Sequence, residues 1–278
     1  GAVDPRAKSH GNRAAAFMLL LRHPDLRWRD VLDGLSYPGI IQEQAYLKLH
    51  GTLHISRSMG GGATDRSAWE SILRMRGVDV DSWCRPSAGL ALLTFDAEEF
   101  DIPGEFGHSI PEAEQLEVAT RGHEAVLGLL ARLKIRATFF TTARFALARP
   151  ELIRRTAAAG HEIASHGFNH TGFEDADLER SRLVLEEISG TPVRGFRMPR
   201  MGKVAPGRLL AAGYRYNSSE NPTWIPGRYN LFRAPRTARL EGELLCVPAS
   251  VTPRGRFPLF WISFKTFPLW VTRAAAAR

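Results

Sequence analysis

From Gly89 onward the chain alternates short, continuous apolar runs with longer stretches of helical period, and this pattern predicts an α/β architecture. Residues 90–95 read as a buried strand of a parallel sheet that ends in a run of acids, Asp96, Glu98, Glu99 and Asp101. Residues 111–133 predict a long helix with Pro111 at its start and Leu116, Val118, Ala119, Val126 and Leu130 in its apolar stripe. A strand over 136–141 and a helix over 150–159, closed by Gly160, come next. Ile163-Ala164 ends a third strand, and residues 176–189 predict a helix capped by Asp175 or Asp177 and stopped by Gly190. A strand running into Arg197, a helix over 204–212 and strands at Tyr214 and over 244–248 complete the series. Residues 1–88 lack this alternation. Short helices are predicted there over 14–22, 28–35, 41–49 and 67–76, with residues 58–64 as a flexible linker. The chain thus divides into an N-terminal segment, 1–88, helical or irregular and without an assigned role, and a domain over 89–278.

Composition narrows the function classes. The 278 residues are 44% hydrophobic and 9% aromatic, enough for a packed core. The net charge of +8 comes mostly from arginine spread along the chain, and no basic block alternates with aromatics, which argues against a nucleic-acid partner. The glycines at 60–62 precede no Walker lysine, so no phosphate loop is predicted. Cys84 and Cys246 are the only cysteines and make neither a disulfide framework nor a metal site. The longest early apolar run, 14–21, falls short of the ~20 residues of a membrane helix, and no transmembrane segment or leader with a cleavage site is read.

The chemistry collects at strand ends. His166 and His170, four residues apart just past a strand, converge on one ion if the backbone turns there. A carboxylate from the 96–101 run completes a set of three ligands with an open position for water, and a second carboxylate can take a proton from that water. Arg197 follows a third strand and can pair with such a base, since a guanidinium favours a carboxylate's charged form.

Three segments in order, Leu93-Thr94-Phe95-Asp96, then Gly160-His161-Glu162-Ile163 leading to His166 and His170, then Arg197-Met198-Pro199-Arg200, resemble the first motifs of the polysaccharide deacetylases, the NodB-homology carbohydrate esterases. Gly213-Tyr214-Arg215-Tyr216-Asn217-Ser218-Ser219 is similar to a further family segment, with Asn217 where aspartate is usual. The resemblance implies a distorted, incomplete (β/α) barrel and a hydrolase, dependent on a divalent metal ion, zinc foremost, that removes N-acetyl groups from a polysaccharide or a lipid-linked amino-sugar intermediate. By the same resemblance Asp96 is the catalytic base, His166 and His170 are metal ligands, and Arg197 pairs with the base. Arg200 stands where an aromatic is common, and its backbone N–H can help hold the oxyanion. Ala97 occupies the usual place of a metal-binding aspartate, so the ligand role shifts to Glu98, with Glu99 in reserve.

Family members carry a late histidine as general acid, whereas no histidine follows His170 here. The expectation is a C-terminally truncated catalytic domain without the closing strand, leaving Trp261 and Trp270 uncovered. Two other readings stand beside the deacetylase: a non-catalytic glycan-binding relative, and a small-molecule amide hydrolase on the same scaffold. Tyr216, Trp224 and Tyr229 are candidates for sugar stacking. With no leader read, a bacterial protein located in the cytoplasm or at a membrane periphery is expected.

Overall fold

The structure is a computed structural model that describes residues 52–56, 90–101, 103, 110–225, 229–260, 263–264 and 267–276. Its centre is an open, mixed sheet of eight strands. In chain order the strands are β1 (Thr52–Ser56), β2 (Leu90–Ala97), β3 (Thr138–Thr141), β4 (Glu162–Ser165), β5 (Gly195–Phe196), β6 (Tyr216–Asn217), β9 (Arg239–Glu241) and β10 (Leu244–Cys246). Strands β7 (Trp224–Ile225) and β8 (Tyr229–Asn230) form a separate antiparallel pair. The sheet order is β1-β2-β3-β4-β5-β6-β10-β9, parallel from β2 through β10, with β1 and β9 antiparallel at the two edges. The predicted helices over 14–76, the linker at 58–64, Cys84 and Trp261 lie outside the described residues. Strand β1, which pairs with β2, was not expected in the N-terminal segment.

Among the described residues the helices are α1 (Glu112–Leu133), α2 (Ala143–Ala148), α3 (Pro150–Ala158), α4 (Asp177–Ser189), α5 (Pro206–Ala211) and α6 (Leu269–Ala276). Helix α2, six residues between Thr142 and Arg149, was missed because it is too short to show a period. Gly190 ends α4 at φ +68, as expected, but neither candidate aspartate caps it in the usual way. Asp177 accepts from the N–H of Glu174, three residues before it, and Asp175 pairs with Arg208.

Strand alternation sorts the residues onto two faces. Phe95, Ala97, Phe139, Ile163 and Phe196 face the helices and join Val126, Leu130, Ile153 and Leu185 in the main core. The opposite face is polar and layered. At its base Glu162 accepts from the Thr138 hydroxyl at 2.7 Å and the Tyr216 hydroxyl at 3.0 Å. Thr94 lies level with Thr138 in the register; one step further along the strands Phe140 stands opposite Asp96 and meets Tyr216 edge-on, and Arg197 reaches across to Asp96 and Thr94.

The Tyr216 ring crosses so close to β5 that a Cβ on Gly195 would lie 2.0 Å from its Cζ. The ring cannot retreat past Phe140 and Glu162, so Gly195→Ala is expected to destabilise the fold by about 1–3 kcal/mol or more in urea denaturation. Gly128, in α1, has nothing within 4 Å of the position that an alanine methyl would take, and Gly128→Ala is expected to stabilise by about 1 kcal/mol in the same assay.

Candidate metal centre

At the C-terminal edge of the parallel strands the inner face carries a buried ion pair. Arg197, the residue after β5, donates from Nη1 to Asp96 Oδ1 at 2.6 Å. Its Nη2 donates to Thr94 Oγ1 at 3.0 Å and Ser218 Oγ at 2.9 Å, and its Nε to the Ser218 carbonyl at 3.2 Å. The guanidinium carbon sits 4.0 Å from the centre of the Phe140 ring. Asp96 and Arg197 are both buried, so the pair is tied into a network that satisfies the guanidinium on several sides.

Asn217 explains its own departure from the family pattern. Its Oδ1 accepts from the Ser219 N–H at 3.0 Å and the Ser219 hydroxyl at 2.5 Å, and Ser219 Oγ accepts from Met198 N–H. This turn needs an acceptor oxygen, which an amide supplies as well as a carboxylate.

Beside the pair, Glu98, His166 and His170 converge. Glu98 Oε2 lies 3.1 Å from His166 Nε2 and 3.4 Å from His170 Nε2, all three residues are buried, and one ligand atom from each lies within 4.8 Å of the others. Each ring is held from behind. The Nδ1–H of His166 donates to the Arg197 carbonyl at 2.7 Å, and that of His170 to the Asp101 carboxylate at 2.8 and 2.9 Å. The Thr171 hydroxyl donates to the same carboxylate. Both Nε2 atoms are thereby aimed at Glu98, as in metal sites whose histidines are oriented by outer hydrogen bonds.

Glu99 points elsewhere. It accepts from the Thr142 hydroxyl at 2.7 Å and the His170 N–H at 3.4 Å, and so clamps the histidine loop to the start of α2. Two N–H groups of α2, from Ala143 and Arg144, donate to the carbonyls of Gly167 and Phe168 at 3.0 Å each. Gly167 takes φ +82 where the chain leaves β4, a conformation that favours glycine.

Burial alone would depress the His170 imidazole, but its hydrogen bond to Asp101 and the charges of Glu98 and Asp101 outweigh this and push it up to about 9. Burial works against the Asp101 carboxyl, and His170 and Thr171 overcome it, leaving its pKa below the ordinary value.

Of the six residues singled out from sequence, five gather here: Asp96, Glu98, His166, His170 and Arg197. Arg200 lies at the rim, exposed, with φ +56 and its Nη2 3.4 Å from Thr171 Oγ1. The role of Asp101 behind His170 was not legible, because an acid five residues past Asp96 has no motif of its own. Tyr216 is packed against Phe140 and Glu162 rather than presented for stacking, Trp224 is exposed, and the Tyr229 side chain lies outside the described residues.

A second group, Glu220, Glu241 and Cys246, also brings ligand-type atoms together among the described residues. Arg239 bridges both carboxylates, and burial together with Glu241 and Glu220 pushes the Cys246 thiol up to about 12. This is an arginine-centred ion cluster, in which the positive charge is already provided.

At the C-terminal edge of the sheet, two histidines and a carboxylate that could hold a metal ion thus lie beside a buried Asp–Arg pair. The family profile for polysaccharide deacetylase matches residues 85–211. This span contains all five gathered residues, and over it the chain is similar to the polysaccharide deacetylases. A chitooligosaccharide deacetylase of Sinorhizobium fredii is 38% identical over 82 residues, 27% of this chain and 38% of that protein. One from a Bradyrhizobium strain is 44% identical over 82 residues, 27% of this chain and 37% of its own length. The aligned stretch thus spans less than two fifths of these relatives. A solved Mycobacterium smegmatis structure assigned to the polysaccharide deacetylases is 26% identical, with a TM-score of 0.42, over 56% of this chain and 57% of that one.

In metal-free protein the His170 imidazole is expected to titrate near 9 by NMR, and Asp101→Asn to bring it down. Because the folded value lies above the ordinary 6.5, the stability that protonated His170 contributes is full below pH 6.5 and is lost as pH rises through about 9. Denaturation midpoints measured across that range in chelator should fall for the wild type and stay flatter for Asp101→Asn.

Proposed function

We propose that the chain is a metal-dependent de-N-acetylase of an N-acetylated amino-sugar glycan, presented as polymer or as a lipid-linked intermediate. The observation that carries this reading is the convergence of Glu98, His166 and His170 beside the buried Asp96–Arg197 pair. The donor set, two imidazoles and one carboxylate, suits zinc, and the hydrogen bonds behind both rings leave their Nε2 atoms to serve as ligands. A divalent ion held there supplies a Lewis acid and a water of lowered pKa.

The chain's own residues do the rest. Asp96 accepts the proton of the attacking water as it adds to the acetamide carbonyl, and Arg197 fixes the carboxylate's orientation during the transfer. The backbone N–H of Arg200, in the tight turn Pro199–Met201, supports the developing oxyanion. When the C–N bond breaks, acetate leaves, and the proton taken up by Asp96 is available to the departing amine.

The test is acetate release from N-acetylglucosamine oligosaccharides by zinc-supplied protein. Asp96→Asn is expected to lower the rate by about a hundred- to ten-thousand-fold at unchanged metal content. Retained oligosaccharide binding with no acetate released by the wild type would leave a non-catalytic binder, and release from small amides alone would leave an amide hydrolase.

Metal affinity should also depend on pH in a defined direction. With His170 protonated up to about 9, binding an ion below that pH displaces a proton from it, so the apparent zinc dissociation constant is expected to fall about tenfold per pH unit and level off above about 9. Competition titrations with a chelator measure this slope.

A further inference from the structure

Arginine is spread along the whole chain, but the net charge is not. Residues 221–278 contain nine basic side chains and two acidic ones, Glu241 and Glu243, and so hold +7 of the total of +8. No acid occurs over 221–240 or 244–278. Exposed apolar side chains gather in the same segment. Of the eight large hydrophobic residues exposed among those described, six lie there: Trp224, Leu231, Phe232, Leu240, Phe267 and Trp270. Every exposed Phe and Trp among the described residues is one of these, with Trp224 42% and Phe232 51% exposed. Scattered apolar residues are ordinary on a protein surface, but a cluster of bare rings in an acid-free region is not.

Trp224, Phe232 and Arg256 join through contacts. Trp224 meets Phe232 edge-on at 6.5 Å, the Arg256 guanidinium lies 5.4 Å from the Phe232 ring centre, and next to Arg256 the Phe257 ring touches Phe267 at 4.9 Å. Trp270 follows within α6. Arg233 and Arg236 are exposed between these rings in sequence, and burial, with the charge of Arg236 added, pushes the Arg256 pKa down. Topology sets where the two segments that carry the patch begin. Strands β6 and β10 run parallel to β2, so the segments that follow them leave the sheet where Asp96 and Arg197 sit. The two segments are tied together by Ala249 N–H to the Glu220 carbonyl and Arg256 Nη1 to the Ala234 carbonyl.

We propose that the surface formed by Trp224, Phe232, Arg233, Arg236 and Arg256 docks the protein on an anionic lipid bilayer, with the rings entering the interface and the arginines meeting headgroup phosphates. This does not depend on the deacetylase reading. Anionic lipid uses both features of the patch at once, since each arginine near such a surface adds attraction and each ring removes apolar area from water. A second copy of the same face would bring like charge against like charge.

The test is co-sedimentation of the whole 278-residue chain with phosphatidylcholine vesicles, neutral or containing about one third phosphatidylglycerol, with no substrate or acetate assay involved. Binding is expected to be at least about tenfold tighter to the anionic vesicles and to weaken with salt. Trp224→Ser with Phe232→Ser, and separately Arg233→Glu with Arg236→Glu, should each lower it by about tenfold or more while the melting temperature holds, because these side chains are exposed. Absent binding, or equal binding to both kinds of vesicle, overturns the proposal. So does a soluble polyuronate bound as tightly as the anionic vesicles with the same loss in both variants, which would make the patch a glycan surface. Concentration-dependent self-association lost in the aromatic variant, without vesicle binding, would assign the face to a second copy instead.

Discussion

The buried pair of Asp96 and Arg197 is the contact on which the rest of the site depends. It joins the end of β2 to the end of β5 across two intervening strands, and Thr94, Ser218 and the Phe140 ring hold the guanidinium in place. Removing one partner of such a pair leaves an uncompensated buried charge and costs about 3–5 kcal/mol, so the geometry is strongly enforced. The same residue reaches the metal centre through its backbone: the Arg197 carbonyl receives the Nδ1–H of His166. A shift of β5 would therefore disturb the proposed base and one proposed ligand together.

On the other side of the centre, a carboxylate pair divides the labour. Glu98 faces the imidazoles, while Glu99 binds Thr142 and the His170 N–H and anchors the loop that carries them. Asp101 then sets the second ring. Three acids within four residues thus have three different jobs, and the difference between them is direction: β2 ends at Ala97, and the extended chain beyond it turns successive side chains to different neighbours.

Much of the fold was legible in the sequence because its signals are local. The apolar runs of β2, β3 and β4 and the period of α1 and α4 are strong, and the parallel sheet follows from their alternation. Asp96, His166, His170 and Arg197 stood at strand ends, where a parallel sheet concentrates its chemistry. What could not be read depended on contacts between distant segments. Helix α2 is too short for a period, the choice of Glu98 over Glu99 depends on which neighbour each meets, and the role of Asp101 exists only once the histidine loop has folded back 69 residues later. The charge asymmetry was available in the sequence from the start. It gained meaning when the exposed rings were seen to fall in the same region.

The central claim is that Glu98, His166 and His170 form one metal site. Elemental analysis of purified, zinc-supplied protein tests it most directly, with wild type beside His166→Ala and Glu98→Ala. About one divalent ion per chain in the wild type, and a large loss in both variants while their far-ultraviolet circular dichroism is unchanged, is the predicted result. Folded wild-type protein that takes up no ion, or variants that retain it in full, would contradict the account.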